Sequence, residues 1–383
     1  MSGDYTEQSR VIGWDVGLHG GGWGGDLDLL KRRNPLPTLD LGFRFDDSWN
    51  EATQDENHDY YITDELGERK YKGSCTGIIG EYKREFDAWG AYQGMVRKGR
   101  IDDPDDAYYK MSFDDCKAQW AKLGKDARDH GSRMHKEIEK FYNNCAVWPD
   151  DATWHEDPET SPALHRFMEF HRTEVVGRLV PFRTEQNIWH EDYEFAGQAD
   201  ILFQRAEWLD DPDKRSWVIV GDWKRTKKDL ANQRAFRGER MLGCCSELEA
   251  VSRSEYQLQM SLYAFILQRR TGLVVRELRV GVFHHNNPSY VWLKLEPRYD
   301  IVERMLVERR HKLLHRYSQA QVDLSIEMAK RAEEAAAGDE GALDSLVELN
   351  REANLNARAL RGLLKSQTVY GASKAKIMGT ATG

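Results

Sequence analysis

The stretch Phe195-Ala-Gly-Gln-Ala-Asp200-Ile-Leu-Phe-Gln204, followed by Trp217-Val-Ile-Val-Gly-Asp222-Trp-Lys224-Arg-Thr-Lys-Lys228, decides the fold. Each half is a short apolar run, and the Asp210-Asp-Pro-Asp213 turn lies between them, so the pair reads as two neighbouring strands. Side chains alternate faces along a strand. Asp222 and Lys224 therefore share one face, and Trp223 points the other way with its backbone carbonyl left near the acids. Asp200 sits in a Gly-Gln-Ala-Asp turn entering the first strand. Two carboxylates and a carbonyl make an oxygen cage for a hard divalent ion. A lysine beside such a cage can orient or deprotonate a metal-bound water and stabilise charge developing on a phosphate, as metal-assisted phosphodiester hydrolysis requires.

An Asp-x-Lys tripeptide at a strand end is common by chance, so the flanking segments carry weight. Upstream, His135 and Glu139 lie one turn apart in a long helical pattern and share a face. Downstream, Gln259 and Tyr263 are spaced the same way in another helix.

In this order the set resembles the RecB-type branch of the PD-(D/E)XK nuclease superfamily: a helical histidine, GxxD, DxK after a short strand, then QxxxY. His58-Asp-Tyr-Tyr, Ser74-Cys-Thr76 and the helix containing Phe86-Asp extend the likeness to the subgroup that includes the mitochondrial genome maintenance exonuclease and related viral nucleases. The match covers residues 55–296. The resemblance implies an α/β protein with a restriction-endonuclease-like core, a mixed sheet flanked by helices. It also implies Mg2+ or Mn2+ held by Asp200, Asp222, the Trp223 carbonyl and His135, with Glu139 or Glu185 reached through water. Lys224 would position the attacking water, and Gln259 and Tyr263 would fix Lys224 or a phosphate oxygen. The activity implied is a nuclease, read first as a DNA exonuclease working on single strands or free ends. A structure-specific endonuclease, a catalytically decayed nucleic-acid-binding module and an interaction protein built around the C-terminal helices are the alternatives.

Charge is unevenly distributed. The net charge of -9 arises partly from Asp46–Glu68, which has nine acids and no Lys or Arg. From Lys224 to Arg240, by contrast, seven basic residues face only Asp229 and Glu239. This patch begins at the candidate lysine, where a phosphate backbone would run, and it makes Arg225, Lys227, Lys228, Arg234 and Arg237 candidate DNA contacts. A solvated loop explains such a run equally well. Five cysteines, Cys75, Cys116, Cys145, Cys244 and Cys245, lack CxxC spacing and read as reduced thiols. None follows the QxxxY helix, so the iron–sulfur cluster of some RecB-type nucleases is not expected. No apolar run is long enough to span a membrane, and the N-terminus lacks the features of a secretion signal, so an intracellular, reducing compartment is expected.

Along the chain, residues 1–55 read as a flexible leader, 56–298 as the nuclease domain, 299–370 as a charged helical extension and 371–383 as a disordered tail. Within the domain, a hairpin is predicted over 58–73 and a helix over 78–97. A second helix begins at Ser112 with Asp115 completing its cap, has a break near Gly124 or Gly131, and buries Trp120, Leu123, Ala127, Met134, Ile138 and Phe141. Glu185 falls on a strand near residues 182–190. The C-terminal stripe of Leu346, Leu349, Ala353, Leu360 and Leu364 docks on its own domain or on a protein partner.

Overall fold

The computed structural model describes residues 44–45, 60–64, 67–71, 73–143, 148, 154–190, 192–214, 216–270, 273–284 and 286–379. The chain divides into two compact units, Met1–Ile188 with Ala196–Tyr299 and Trp189–Phe195 with Asp300–Gly383.

In the first unit, β1 (Arg44–Phe45), β2 (Tyr60–Asp64) and β3 (Gly67–Tyr71) form a small antiparallel sheet. The hairpin falls where Tyr60, Tyr61, Ile62 and Tyr71 predicted it. Apart from β1, the expected flexible leader lies outside the described residues. The predicted helix over 78–97 is two helices, α1 (Cys75–Gly80) and α2 (Ala88–Arg97). Asp87 caps the second by accepting from the Gly90 N–H at 2.8 Å, and this side-chain bond competes with continuing the helix through the segment before it.

The helix α3 (Phe113–Asn143) opens with the predicted capping box: Ser112 Oγ accepts from Asp115 N–H at 3.2 Å, and Asp115 returns the bond to Ser112 N–H at 3.0 Å. It runs unbroken through Gly124 and Gly131, where a break was expected. A single glycine costs a helix only about 1 kcal/mol relative to alanine, too little to interrupt 31 residues. The predicted buried stripe holds only in the second half. Met134, Ile138 and Phe141 are buried, whereas Leu123 is 54% exposed. The helix α4 (Ser161–Phe170) continues as one π turn over His171–Val175.

The central sheet has five strands in the order β4 (Leu179–His190), β5 (Phe195–Arg205), β6 (Trp217–Lys224), β7 (Val274–Val282) and β8 (Val291–Leu295). β5 is antiparallel to β6, β6 parallel to β7, and β7 antiparallel to β8, so the sheet is mixed. The parallel step needs a crossover, and α5 (Ser252–Arg270) supplies it. From Leu258 to Leu267 nearly every residue of α5 is buried, which explains why its sequence shows no amphipathic stripe. The unit is therefore α/β with a mixed sheet flanked by helices. On one face Trp223 packs among Phe167, Phe170, Phe203, Phe283 and Trp292.

His171 is buried in this core, with its Nδ1 3.4 Å from the Tyr142 hydroxyl. Burial, helped by the Arg172 charge, pushes its pKa down to about 3. The unfolded chain therefore takes up this proton first: the histidine's contribution is complete above pH ~6.5 and declines as pH falls toward the folded pKa. Between pH 7.5 and 5 it should cost about 2 kcal/mol. Buried acids elsewhere titrate in the opposite sense, so the measurement is the difference between wild type and His171→Phe. The wild type should lose more melting temperature over that interval, and parallel curves would show that His171 is not the titrating group.

The second unit contains α6 (Tyr299–Ala336) from Asp300 onward and α7 (Glu340–Gly379), separated at Gly338, whose φ of 99 suits only glycine. Asn356 joins the helices, donating to the Tyr317 carbonyl at 2.8 Å and to Gln321 Oε1 at 2.9 Å, and Arg310 Nε donates to the Leu363 carbonyl at 2.8 Å. The Trp189–Phe195 segment belongs here: Arg309 Nη2 donates to the Glu194 carbonyl at 2.7 Å. Helix α7 reaches Gly379, so the expected disordered tail is helical over 371–379. That segment contains no proline, and its Ala, Lys and Met residues favour helix. None of the predicted stripe residues is buried, and Leu364 is 58% exposed; among the described side chains of α7 the buried ones are Ala342, Asn356 and Leu363. Among the described residues no helix is long and apolar enough to cross a membrane.

Candidate metal centre

Asp200 and Asp222 sit on adjacent strands whose pairing ends one step earlier, at Ile201 opposite Gly221. The backbone there is free to bind side chains. Trp223 N–H donates to Asp200 Oδ2 at 2.6 Å, and the Lys224 carbonyl accepts at 3.0 Å from the N–H of Phe283, the residue just after β7. Successive residues of a strand turn their backbone groups to opposite neighbours, so Trp223 presents its backbone to β5 and its indole to the core. The sequence pointed to the Trp223 carbonyl; the contact made in the structure is through its amide.

His135 on α3 places Nδ1 3.4 Å from Asp200 Oδ2. Glu185 on β4 joins them: ligand atoms of His135, Glu185 and Asp200 all lie within 4.8 Å of one another. Glu185 has φ 43, a left-handed conformation that is costly for a non-glycine residue and that re-aims a side chain out of the regular strand alternation. Sequence reading could not rank Glu185 with His135 and Asp200, because the left-handed bend leaves no mark in the residue pattern. Asp222 lies outside this trio and is ion-paired through Oδ2 with Lys224 Nζ.

The charges explain one another. Burial, reinforced by Asp200, Glu139 and Asp222, pushes the Glu185 carboxyl well up. Burial and the charge of Asp200 outweigh the pull of Lys224 and take Asp222 to about 6. Asp200 moves down: burial opposes this, but His135, Lys224 and the Trp223 N–H all favour its charged form. Burial works against charge on His135 and Lys224 too, yet the acids raise both, His135 chiefly through Asp200 and Lys224 chiefly through Asp222. Four carboxyls thus face two cations, and part of the negative charge is neutralised only by raised pKa values. A divalent ion would supply the missing positive charge, and an imidazole with carboxylate oxygens is a donor set that accepts Mg2+ or Mn2+.

The α5 helix contributes differently from expectation. Gln259 Nε2 donates to Tyr263 Oη at 2.6 Å, so the pair bind each other. The Gly-Gln-Ala-Asp segment, expected as a turn, is part of β5, and Tyr263 is buried against it: a Cβ at Gly197 would stand 2.7 Å from Tyr263 Cε1 and 2.9 Å from Cys75 Sγ. This gives the glycine of GxxD a physical reason. The residue of α5 that meets Lys224 is Tyr256, whose ring centroid lies 5.0 Å from Nζ. Sequence reasoning missed Tyr256, although it sits one turn before Gln259 on the same face.

The basic segment divides. Arg225 has a side chain only 8% exposed, with Nη2 3.2 Å from the Glu159 carbonyl, so it is a buried structural contact and not a free phosphate ligand. Lys227 and Lys228 are exposed, Lys228 donating to Ser252 Oγ at 2.9 Å. The Arg234 side chain is 86% exposed. The Arg237 side chain lies outside the described residues. Cys116 is a buried thiol outside any disulfide. No family model matches the chain, and no curated protein matches it.

Proposed function

We propose that this chain is a divalent-metal-dependent nuclease with a restriction-endonuclease-like core, acting on single-stranded DNA or free DNA ends. The observation that carries the reading is the His135–Glu185–Asp200 trio beside the Asp222–Lys224 ion pair. His135, Glu185 and Asp200 would hold Mg2+ or Mn2+, which when bound supplies Lewis-acid activation and neutralises phosphate charge. Trp223 N–H holds Asp200 Oδ2, the oxygen 3.4 Å from His135 Nδ1, and so fixes the carboxylate's orientation toward the histidine. Lys224, kept protonated by the surrounding acids, acts as a donor: it holds the attacking water or a non-bridging phosphate oxygen and does not serve as the base. Asp222 and the Tyr256 ring hold the ammonium in place. Lys227, Lys228 and Arg234 guide the phosphate backbone electrostatically.

End-labelled, circular, single-stranded and duplex DNA, with RNA as a comparison, incubated in Mg2+, Mn2+ or chelator, test this directly. Cleavage of linear single strands with metal and none in chelator is the expected result. Full activity in chelator would overturn it. Glu185→Gln keeps the shape and removes a ligand charge, so Mn2+ binding measured by calorimetry without substrate should weaken at least about tenfold. Unchanged Mn2+ affinity would remove Glu185 from the centre.

A further inference from the structure

We infer that Phe86 and Trp89 form a base-stacking surface for the single strand whose backbone runs to the metal centre, an inference that rests on the nuclease reading above. Phe86 is 69% exposed and Trp89 52% exposed, yet both belong to a fixed array of rings. Phe86 packs edge-on against Trp120 at 5.5 Å, and Trp89 stacks on Tyr92 at 5.7 Å and meets Phe113 edge-on at 5.0 Å. The Asp87 cap holds the two residues' backbone in place. A Cβ at Gly90 would stand 2.1 Å from its carboxylate, so the cap in this form needs a glycine there.

Short contacts connect this array to the candidate lysine. The Tyr82 carbonyl accepts from Leu242 N–H at 2.8 Å, and Lys83 Nζ meets Glu255 Oε2 at 2.8 Å. The next residue along α5, Tyr256, carries the Lys224 ammonium over its ring. Phe86 thus lies three residues from an ion pair on the helix turn that holds Lys224. Exposed Arg84 lies beside the patch together with exposed Glu85 and Asp87, and Lys117 Nζ is 5.4 Å from the Phe113 ring, so its charges are mixed and the rings themselves carry the inference. Exposed rings suit a single strand, whose bases present free π-faces, whereas in a duplex the bases are already stacked.

The test uses the full chain in Ca2+ and a fluorescein-labelled oligo-dT read by anisotropy. Phe86→Ala with Trp89→Ala should weaken binding roughly fivefold or more per ring, the scale of losing one stacked base. The slope of log affinity against log salt should not change, because no charge is removed. Both residues are largely exposed, so the melting temperature should hold. Phe86→Tyr with Trp89→Phe should restore affinity, whereas Leu at both positions should not. Unchanged oligo-dT affinity in the double Ala variant would overturn the inference, as would an equal loss for duplex. So would full binding by the Leu pair, or altered sedimentation with intact DNA binding, which would mark a protein-contact surface. Hydrolysis of bis(p-nitrophenyl) phosphate in Mn2+ should be the same in wild type and variants. Its failure in wild type would count against the nuclease reading alone, while the binding arm still decides the stacking.

Discussion

Asp222→Asn should lower phosphodiester cleavage by at least about 100-fold without lowering the melting temperature. The two halves of this expectation come from the same geometry. Asp222 is 1% exposed and is the anchor for Lys224 Nζ, so the amide leaves the lysine without its fixed partner and the reacting phosphate without an oriented donor. Removing a preorganised electrostatic contact of this kind costs two to three orders of magnitude in rate. Removing one partner of a buried ion pair ordinarily destabilises as well. Here the acids outnumber the cations: burial, with the charge of Asp200, already lifts Asp222 to about 6, so its charged form is less favourable folded than unfolded. Neutralising it relieves repulsion with Asp200 and Glu185, and the lysine keeps Asp200 close by. Activity is lost while stability is kept or gained, the signature of a site that holds charge for chemistry and not for folding. A variant that cleaves at near-wild-type rate would dismiss Asp222 and Lys224 as the reacting pair. A large fall in melting temperature with intact specific activity would mark them as a structural ion pair.

How much of this was legible in the sequence follows from which signals are local. The strands around Asp200 and Asp222 and the capping box at Ser112 depend on residue alternation and turn chemistry within a few positions, so their placement could be read directly. Whether α3 breaks depends on the balance between a small glycine penalty and the contacts of Met134, Ile138 and Phe141, which no local pattern displays. The same holds for Arg225. In sequence it is one cation among seven, and only the approach of Glu159, 66 residues away, turns it inward. The candidate site was legible as a list of residue types, because acids, a lysine and a histidine must be spelled out. Its arrangement was not. Glu185 reaches the trio through a left-handed backbone, Tyr256 reaches Lys224 through the crossover, and Gln259 and Tyr263 bind each other.

Trp223 separates the two acids' chemistry from the protein's core, and its truncation should produce the largest loss of stability in the first unit. The side chain is 1% exposed and lies within 6.3 Å, centroid to centroid, of Phe167, Phe170, Phe203, Phe283 and Trp292. β7 leaves room for it with a glycine: Gly281 pairs with Trp223, and a Cβ there would stand 2.7 Å from Cε3 of the indole. Trp223→Ala therefore empties a space shaped for one ring, at a cost of about 3–5 kcal/mol from lost burial and the residual cavity. A unit of this size should lose roughly 2–4 °C per kcal/mol, so the melting temperature should fall by about 10 °C. Trp223→Phe refills part of the space and should lose less than half of that. The backbone amide that binds Asp200 is present in all three proteins, but its direction depends on the indole keeping β6 in register. Cleavage per folded molecule should consequently stay close to wild type in Trp223→Phe and fall in Trp223→Ala even below its melting temperature. Equal melting temperatures would show that the aromatic cluster does not close around Trp223. Equal specific activity in a destabilised Ala variant would show that the strand holds the Asp200 contact without it.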